Sequence, residues 1–276
     1  MALALLAAAC GKNSNSKSAA KTTRTAAATS TSMHEEMMPL PDYAKGFKTT
    51  FAAPADGVKV TGNELKVEVA VSGFKLDCDL AGKDNTPTSA HYHLLLDKVL
   101  INMYCSPDAT VSMQNIKPGV HKLEVAPALN DHAEVLEAGN AQTISFDYEP
   151  TSALPVLTDE TSADKPSIKI LSPKPGAVLS GAFDVVVEIK NFEDNCNLFG
   201  KPGVAGYGHW HANLDSMEGS MMGMGTMLGM ACTNTFHATT TGLKSGQTHD
   251  VIALLVDNGH APLHPAVADK VTVTIG

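Results

Sequence analysis

The sequence predicts an all-β protein made of two tandem sandwiches, on three observations. One segment occurs twice, at residues 91–97 and 209–215, and the same offset of 118 residues superimposes Cys78 on Cys196. Segments such as 65–71 and 183–189 alternate and are rich in Val, as strands are. Each copy has about 100 residues and many Pro/Gly turns, which is typical of the immunoglobulin-like β-sandwich. We therefore expect two immunoglobulin-like domains after a disordered tether.

Length and charge indicate the number of domains and argue against one class of partner. A chain of 276 residues fits two domains of ordinary size. The net charge of -9 argues against nucleic acid as a partner. The predicted parts are a lipoprotein-type signal peptide (1–10), a disordered tether (11–46), the first sandwich (47–150), a linker (151–165) and the second sandwich with a Met-rich insertion (166–276).

The amino-terminal segment predicts export and a lipid anchor. An apolar run at residues 1–9 ends at Cys10-Gly11 and resembles the end of a bacterial lipoprotein signal peptide, in which a small residue precedes the lipidated Cys. It departs from that pattern because no basic residue precedes the run and because Ala7 stands where Leu is usual. The alternative is a frayed apolar terminus. We expect lipidation at Cys10 and attachment to the extracytoplasmic side of the bacterial cell envelope.

Several short motifs recur around histidines. Gly-x-Gly-His-x-His stands at residues 206–211, Pro-Gly-x-His-x-Leu at 118–123, and Asn-x-His at 130–132 and 258–260. Together they resemble those of uncharacterised exported bacterial domains with an immunoglobulin-like fold, over most of residues 50–276. The resemblance implies the fold and export, and it implies little about activity.

Four cysteines lie beyond Cys10, two in each copy. Their equivalent positions favour one disulfide per sandwich, which is the expected state outside the cytoplasm. The alternative makes the thiolates metal ligands beside the histidines. The expected pairs are Cys78–Cys105 and Cys196–Cys232.

The repeated His-aromatic-His segment is the main functional signal. Strand alternation places both histidines of each copy on one face. If this strand lies beside the later strand that precedes His132 or His260, a third imidazole approaches the pair. Three imidazoles suit Cu or Zn; the alternative is a set of hydrogen-bonded histidines on a partly exposed face. The predicted ligands are His91, His93 and His132 in the first copy and His209, His211 and His260 in the second.

Other histidines and two aspartates are expected to be structural. His121 and His249 should lie at the opposite strand end, with their ring nitrogens bound to backbone or carboxylate groups. Asp97 and Asp215 end the repeated segment and should serve turns.

A Met-rich segment distinguishes the second copy. Thioether sulfur is a soft ligand that selects Cu(I), and the interleaved glycines predict a poor strand and a poor helix. The alternatives are an adaptable protein-binding surface or the filling of apolar gaps. The candidate thioether ligands are Met221, Met222, Met224, Met227 and Met230.

These signals favour a binding protein over an enzyme. The chain has no GxSxG, HExxH or phosphate-loop motif. The predicted function is a membrane-tethered, extracytoplasmic metal-binding lipoprotein with copper as its ion and zinc as the alternative. The competing hypothesis is a non-metal module that binds a protein partner or cell-wall polymer.

Overall fold

The first sandwich confirms the all-β prediction. The computed structural model describes residues 39–160, 162, 164–217 and 224–276. A sheet with the order β1-β3-β7 faces a sheet with the order β2-β9-β8-β5-β4, in which β6 also pairs with β5. The strands are β1 (Lys48–Ala53), β2 (Val58–Val60), β3 (Glu64–Ser72), β4 (Lys75–Leu76), β5 (Ser89–Leu96), β6 (Val99–Tyr104), β7 (Asp108–Ser112), β8 (Gly119–Ala128) and β9 (Gln142–Tyr148).

The second sandwich repeats this topology strand for strand. Its sheets have the orders β10-β12-β16 and β11-β18-β17-β14-β13, and β15 pairs with β14 as β6 does with β5. Both are immunoglobulin-like sandwiches, as the internal repeat predicts. The strands are β10 (Ser167–Ser172), β11 (Val178–Leu179), β12 (Ala182–Lys190), β13 (Glu193–Asp194), β14 (Tyr207–Leu214), β15 (Met227–Ala231), β16 (Thr235–Thr239), β17 (Thr248–Val256) and β18 (Ala268–Ile275).

Each core is centred on the aromatic residue between the paired histidines. Tyr92 and Trp210 are completely buried. Their polar groups are satisfied, since the Tyr92 hydroxyl donates to the Ser106 carbonyl at 2.9 Å and the Trp210 Nε1–H donates to the Thr233 carbonyl at 2.8 Å. The aromatic side chains therefore anchor the strands that carry the histidines.

The disulfide prediction is confirmed in both sandwiches. Cys78 is bonded to Cys105 and Cys196 to Cys232, each pair with its Cα atoms 5.5 Å apart. On the chain-entropy account, closing loops of this size stabilises each sandwich by about 3–4 kcal/mol. The bonded sulfurs are not thiolates, so the alternative interpretation of these cysteines as metal ligands is wrong.

One expectation about the Met-rich segment is also wrong. The interleaved glycines predict a poor strand, yet residues 227–231 form β15 and pair with β14. Pairing overrides the low strand propensity of glycine here. Gly229 has a packing reason, because a Cβ at this position would lie 2.5 Å from the ring of Phe236.

Two segments assigned by sequence to the tether and linker make ordered contacts. A short 3-10 helix, Asp42–Gly46, contributes to a buried cluster of the first sandwich. In the linker, Leu157 N–H donates to Asn115 Oδ1 at 2.9 Å. Its Asp159 carboxylate accepts from Ala205 N–H at 2.9 Å. The linker thus binds both sandwiches.

The two sandwiches pack directly against each other. They belong to one compact unit, Met38–Gly276. Phe199 of the second sandwich joins the buried core of the first, and Met227 packs against Ala81 and Met103. Within the described ranges, no helix has the length and apolar character needed to cross a lipid bilayer.

Candidate metal centres

The repeated segments form β5 and β14, and their histidines share one face as predicted. In β5 the pair lies opposite small residues of β8, with His91 facing Ala128 and His93 facing Ala126. The predicted antiparallel pairing with the later strand is therefore present, and β14 pairs with β17 in the same way. In the first sandwich these small neighbours leave room for the imidazole rings above the sheet, whereas His209 and His211 lie opposite Val256 and Leu254.

The third histidine of each copy is directed back by a tight turn after β8 or β17. His132 has φ 64° and His260 has φ 70°, a left-handed conformation that is uncommon for residues other than glycine. The His132 N–H closes the turn on the Leu129 carbonyl at 2.8 Å. Such strain costs about 1–3 kcal/mol and is concentrated at functional sites. Its occurrence at the same turn in both copies points to a role for these rings.

In the first sandwich, three imidazole nitrogens converge on one point. His91 Nε2 lies 3.2 Å from His93 Nε2 and 3.1 Å from His132 Nδ1, and the last two nitrogens are 3.4 Å apart. All three residues are completely buried. We call His91, His93 and His132 the first triad.

The second sandwich repeats this geometry. His209 Nε2 lies 3.0 Å from both His211 Nε2 and His260 Nδ1, and the latter two nitrogens are 3.4 Å apart. The residues are at most 6% exposed. We call His209, His211 and His260 the second triad.

The nitrogen spacing suits a single ion. Three nitrogens arranged tetrahedrally at about 2.0–2.1 Å from one metal lie about 3.3 Å from each other. The distances in both triads, 3.0–3.4 Å, bracket that value. Each triad could therefore hold a metal ion with little movement of the rings.

Outer hydrogen bonds determine the tautomers of the first triad. Carbonyl and carboxylate oxygens only accept, so His132 Nε2–H donates to the Met227 carbonyl at 2.7 Å and His93 Nδ1–H donates to Glu134 at 2.8 Å. In the neutral rings, the inward nitrogens, His93 Nε2 and His132 Nδ1, consequently carry lone pairs that face each other. Metal-binding histidines have the same outer hydrogen bonds. In the second triad, His260 Nε2–H donates to the Leu100 carbonyl at 2.7 Å, which leaves the inward Nδ1 of His260 as an acceptor.

His91 and His209 can change their tautomers. Nδ1 of His91 and Nδ1 of His209 are buried without a hydrogen-bond partner among the described residues. Without an ion, the inward Nε2–H of His91 can donate toward the two lone pairs. A cation at the centre takes the place of that proton, which then belongs on Nδ1. The metal-free first triad therefore already has the ligand geometry, while Nδ1 of His91 remains without a hydrogen-bond partner among the described residues.

Burial favours the neutral form of five of the six triad histidines. Burial and neighbouring imidazoles lower the pKa of His91, His209 and His211 well below the ordinary value. Burial also lowers the pKa of His132 to about 3 and that of His260 to about 4. The lone pairs of these five rings are thus available at neutral pH, where protons compete weakly with a metal ion for them.

The other predicted structural residues lie where the sequence places them. His121 Nδ1–H donates to Asp97 at 2.7 Å, and His249 Nδ1–H donates to Asp215 at 2.7 Å. Asp97 and Asp215 have positive φ values in the turns that end β5 and β14. These pairs stabilise the far ends of the strands and take no part in the triads.

The structure describes three of the five candidate thioether ligands, and two of them, Met227 and Met230, pack in one cluster. Met221 and Met222 lie outside the described residues, as does Cys10, and Met224 begins a short 3-10 helix, Met224–Thr226. Met227 is buried in β15 and supplies the carbonyl that His132 contacts. Met230 also lies on β15, directly opposite His211.

Sequence reasoning missed two residues beside the triads. Glu134 lies two positions after His132 and accepts from His93; an acidic residue so close to a predicted ligand is a signal that could have identified it. Met103 on β6 lies directly opposite His93, as Met230 does opposite His211. No local motif marks Met103, because its place depends on strand register.

Comparison with known proteins adds no functional assignment. No protein-family model matches the chain, and curated proteins give no match. Among solved structures, the chain is similar to the fibronectin(III)-like modules of Clostridium thermocellum CbhA, with 13% identity over 82% of this chain and 93% of that chain and a TM-score of 0.26. It is also similar to the central fibronectin-III array of RIM-binding protein, with 10% identity over 86% and 72% of the two chains and a TM-score of 0.23. Likenesses at this level support no statement about function.

Proposed function

We propose that this chain is an extracytoplasmic metal-binding protein that holds one transition-metal ion in each of its two histidine triads. The observation that carries the proposal is the orientation of the lone pairs. In the first triad, Met227 and Glu134 fix two outer N–H groups, which leaves two inward nitrogens that can only accept. A cation is the natural occupant of such a point.

The donor set favours copper, with zinc as the alternative. Three neutral imidazoles suit both ions, whereas Mg²⁺ and Ca²⁺ require oxygen ligands. Met103 and Met230 add weight to copper, because each lies on the strand position opposite a triad histidine and thioethers favour Cu(I). The nearly complete burial of both triads favours holding an ion over turning over a substrate.

We extend the proposal to the location of the protein. The two disulfides fit an oxidising compartment. The apolar run before Cys10-Gly11 supports export and lipidation at Cys10. Metabolic labelling with a fatty acid, compared between the natural chain and Cys10→Ala, tests the anchor. Equal labelling of the two chains would exclude lipidation at Cys10.

Metal content tests the main proposal. Protein purified from cells supplied with copper and zinc is expected to contain two ions per chain by plasma mass spectrometry. His132→Ala and His260→Ala should each reduce the content to one ion. The control is His237→Ala, which removes an exposed histidine paired with Asp184 and should leave two ions.

The same experiment distinguishes the proposed function from the competing one. A natural chain that contains no stoichiometric metal, and that binds none on titration with Cu(I), Cu(II) and Zn(II), would be a pair of sandwiches without a metal role. The non-metal module that binds a partner or cell-wall polymer would then be the better hypothesis.

A further inference from the structure

The hydrogen bonds that orient the third histidines cross from one sandwich to the other. His132 belongs to the first sandwich, and its Nε2–H donates to Met227 on β15 of the second at 2.7 Å. His260 belongs to the second sandwich, and its Nε2–H donates to Leu100 on β6 of the first at 2.7 Å. Leu100 and Met227 occupy matching places in the two sandwiches, on β6 and β15. Each sandwich therefore supplies a carbonyl oxygen to a histidine of the other.

A glycine lies against each of these carbonyl-bearing residues. Gly82 and Gly200 are 118 residues apart, as the two copies are. A Cβ on Gly82 would lie 2.7 Å from the carbonyl carbon and oxygen of Met227, and a Cβ on Gly200 would lie 2.6 Å from the carbonyl oxygen of Leu100. The two sandwiches therefore touch through backbone at these points, where no side chain fits.

Each glycine is also tied to the turn that carries the third histidine. Gly82 N–H donates to Asn130 at 2.7 Å, and Gly200 N–H donates to Asn258 at 2.9 Å. These asparagines lie two residues before His132 and His260. One contact thus positions the turn, its histidine and the carbonyl of the opposite sandwich.

A buried lysine adds a second tie across the junction. Lys83 of the first sandwich donates to the carbonyls of Thr239 and Thr241 in the second, each at 2.7 Å, and to that of Asp79 in its own sandwich at 2.6 Å. Lys201 stands at the matching position of the second copy and donates to the Asn197 carbonyl of its own sandwich. The lysine tie is therefore one-sided and can be removed separately.

We infer that each sandwich completes the metal site of the other, so that metal binding and docking of the two sandwiches form one linked equilibrium. This inference rests on the proposed metal function. If the sandwiches separate, His132 loses the carbonyl that fixes its tautomer and ring direction, and the loss of such an outer hydrogen-bond partner lowers metal affinity about 10–100-fold. Linkage requires the reverse as well: a bound ion strengthens docking by the same factor.

The test disturbs docking in the full chain without changing a ligand. The first site is isolated by His211→Ala, and Gly82→Ala is then compared with Gly57→Ala. Both glycines have positive φ, 71° and 78°, but a Cβ on Gly57 would meet no atom within 4 Å. Gly82→Ala is expected to weaken Zn(II) and Cu(II) binding at least tenfold, and Gly57→Ala less than twofold.

The reciprocal arm uses the second site. This site is isolated by His93→Ala, and Gly200→Ala is compared with Gly176→Ala. Gly176 has a positive φ of 76°, as Gly200 does at 67°, but a Cβ on Gly176 would meet no atom within 4 Å. Gly200→Ala is expected to weaken Zn(II) and Cu(II) binding at least tenfold, and Gly176→Ala less than twofold. An effect in only one arm would overturn the reciprocal inference.

A spectroscopic readout separates positioning from general destabilisation. In Co(II)-substituted protein, the Nε2–H of His132 should give a paramagnetically shifted proton resonance that exchanges slowly with D₂O, because the Met227 carbonyl protects it. Gly82→Ala should speed this exchange or remove the resonance, whereas Gly57→Ala should preserve it.

A second variant covers the case in which Gly82→Ala does not fold. Lys83→Met removes the tie to Thr239 and Thr241 and should weaken metal binding about fivefold or more, while Lys201→Met should have little effect. If the natural chain binds no metal, the proposed function fails. If it binds two ions and all docking variants bind them equally well, the inference fails while the function stands.

Discussion

The two triads have the same ligands but different surroundings, and the first difference concerns a carboxylate. Glu134 accepts from His93 at 2.8 Å in the first sandwich. In the second sandwich the matching position is occupied by Pro262, because the isolated β-bridge Val256–Pro262 is equivalent to the β-bridge Ala128–Glu134 of the first. A carboxylate behind a histidine raises its basicity as a ligand. The first site should therefore bind a cation more tightly than the second.

The second difference concerns an aromatic ring. Phe199 lies against His209, with ring centroids 4.1 Å apart, and near His260 at 5.9 Å. Ala81 occupies the matching position of the first copy, 118 residues earlier. The comparison teaches that the ligand set is repeated while its supports are not: a carboxylate supports the first triad and a packed ring supports the second.

Acid should produce the largest effect, because it acts on both triads of the metal-free protein. Above pH 6.5, His132 and His260 are mainly neutral in both the folded and the unfolded chain, so they contribute little pH dependence there. Below 6.5 the unfolded chain takes up protons first, since the folded pKa values of His132 and His260 are lowered to about 3 and 4. Stability is therefore lost as the pH falls, by about 1.4 kcal/mol per pH unit for each such histidine.

Urea unfolding of metal-free protein at pH 5 and 6.5 measures this loss. His132→Ala and His260→Ala should each reduce the change in unfolding free energy between the two pH values by about 2 kcal/mol. His237→Ala, which removes an exposed ring, is the control. An identical pH dependence in all three variants would contradict the burial argument.

Removing the aromatic support should have the next largest effect. Phe199 is 3% exposed, and Phe199→Ala is expected to lower the free energy of unfolding by about 3–5 kcal/mol. It should also weaken the second site more than the first, because the ring packs on His209. Phe146→Ala, in the core of the first sandwich, should cost similar stability and leave the second site's Co(II) spectrum unchanged. If the Co(II) spectrum of the second site changed in Phe146→Ala and not in Phe199→Ala, Phe199 would not be the support of the second triad.

Exchanging the carboxylate tests the predicted order of the two affinities. Glu134→Gln should weaken the first site about 10–100-fold, in the range seen for residues that hydrogen-bond to metal ligands. Pro262→Glu should strengthen the second site if the new carboxylate reaches His211. Competitive titration with a chromogenic chelator, carried out on the single-site variants His211→Ala and His93→Ala, gives both affinities. The order would be refuted by a first site that binds no more tightly than the second.

The sandwiches and the convergence of both triads could be predicted because their signals are local or repeated. Alternation in a strand places His91 and His93 on one face, and the internal repeat supports the same inference a second time in the other copy. The turn at His132 required one further assumption, the antiparallel pairing of β5 with β8. The confirmed disulfides followed from the same equivalence of the two copies.

The supports of the triads could not be predicted, because they depend on contacts between distant parts of the chain. The carbonyls of Leu100 and Met227 reach the histidines only when the two sandwiches are docked. β15 escapes prediction because glycine and methionine have weak strand signals. The clash that a side chain at Gly229 would make with Phe236 is visible only in three dimensions.

The thioethers opposite the triads should have the smallest effect and should distinguish copper from zinc. Residues directly opposite in an antiparallel pair have Cβ atoms about 4.5–5.5 Å apart, which places Met103 beside His93 and Met230 beside His211. Thioether sulfur is a soft donor that favours Cu(I) over Zn(II). Met103→Leu and Met230→Leu should therefore weaken Cu(I) binding about two- to tenfold.

Zn(II) provides the control for these substitutions, because leucine keeps the packing volume and a thioether is a poor partner for Zn(II) beside three imidazoles. Zn(II) affinity should stay within about twofold, while Cu(I) affinity, measured against a competing Cu(I) chelator, falls. The larger loss is expected for Met103, because it is 8% exposed and has little freedom to move, whereas Met230 is only partly buried. Equal losses for the two ions would show that these methionines only fill space, and the preference for copper would then rest on the imidazoles alone.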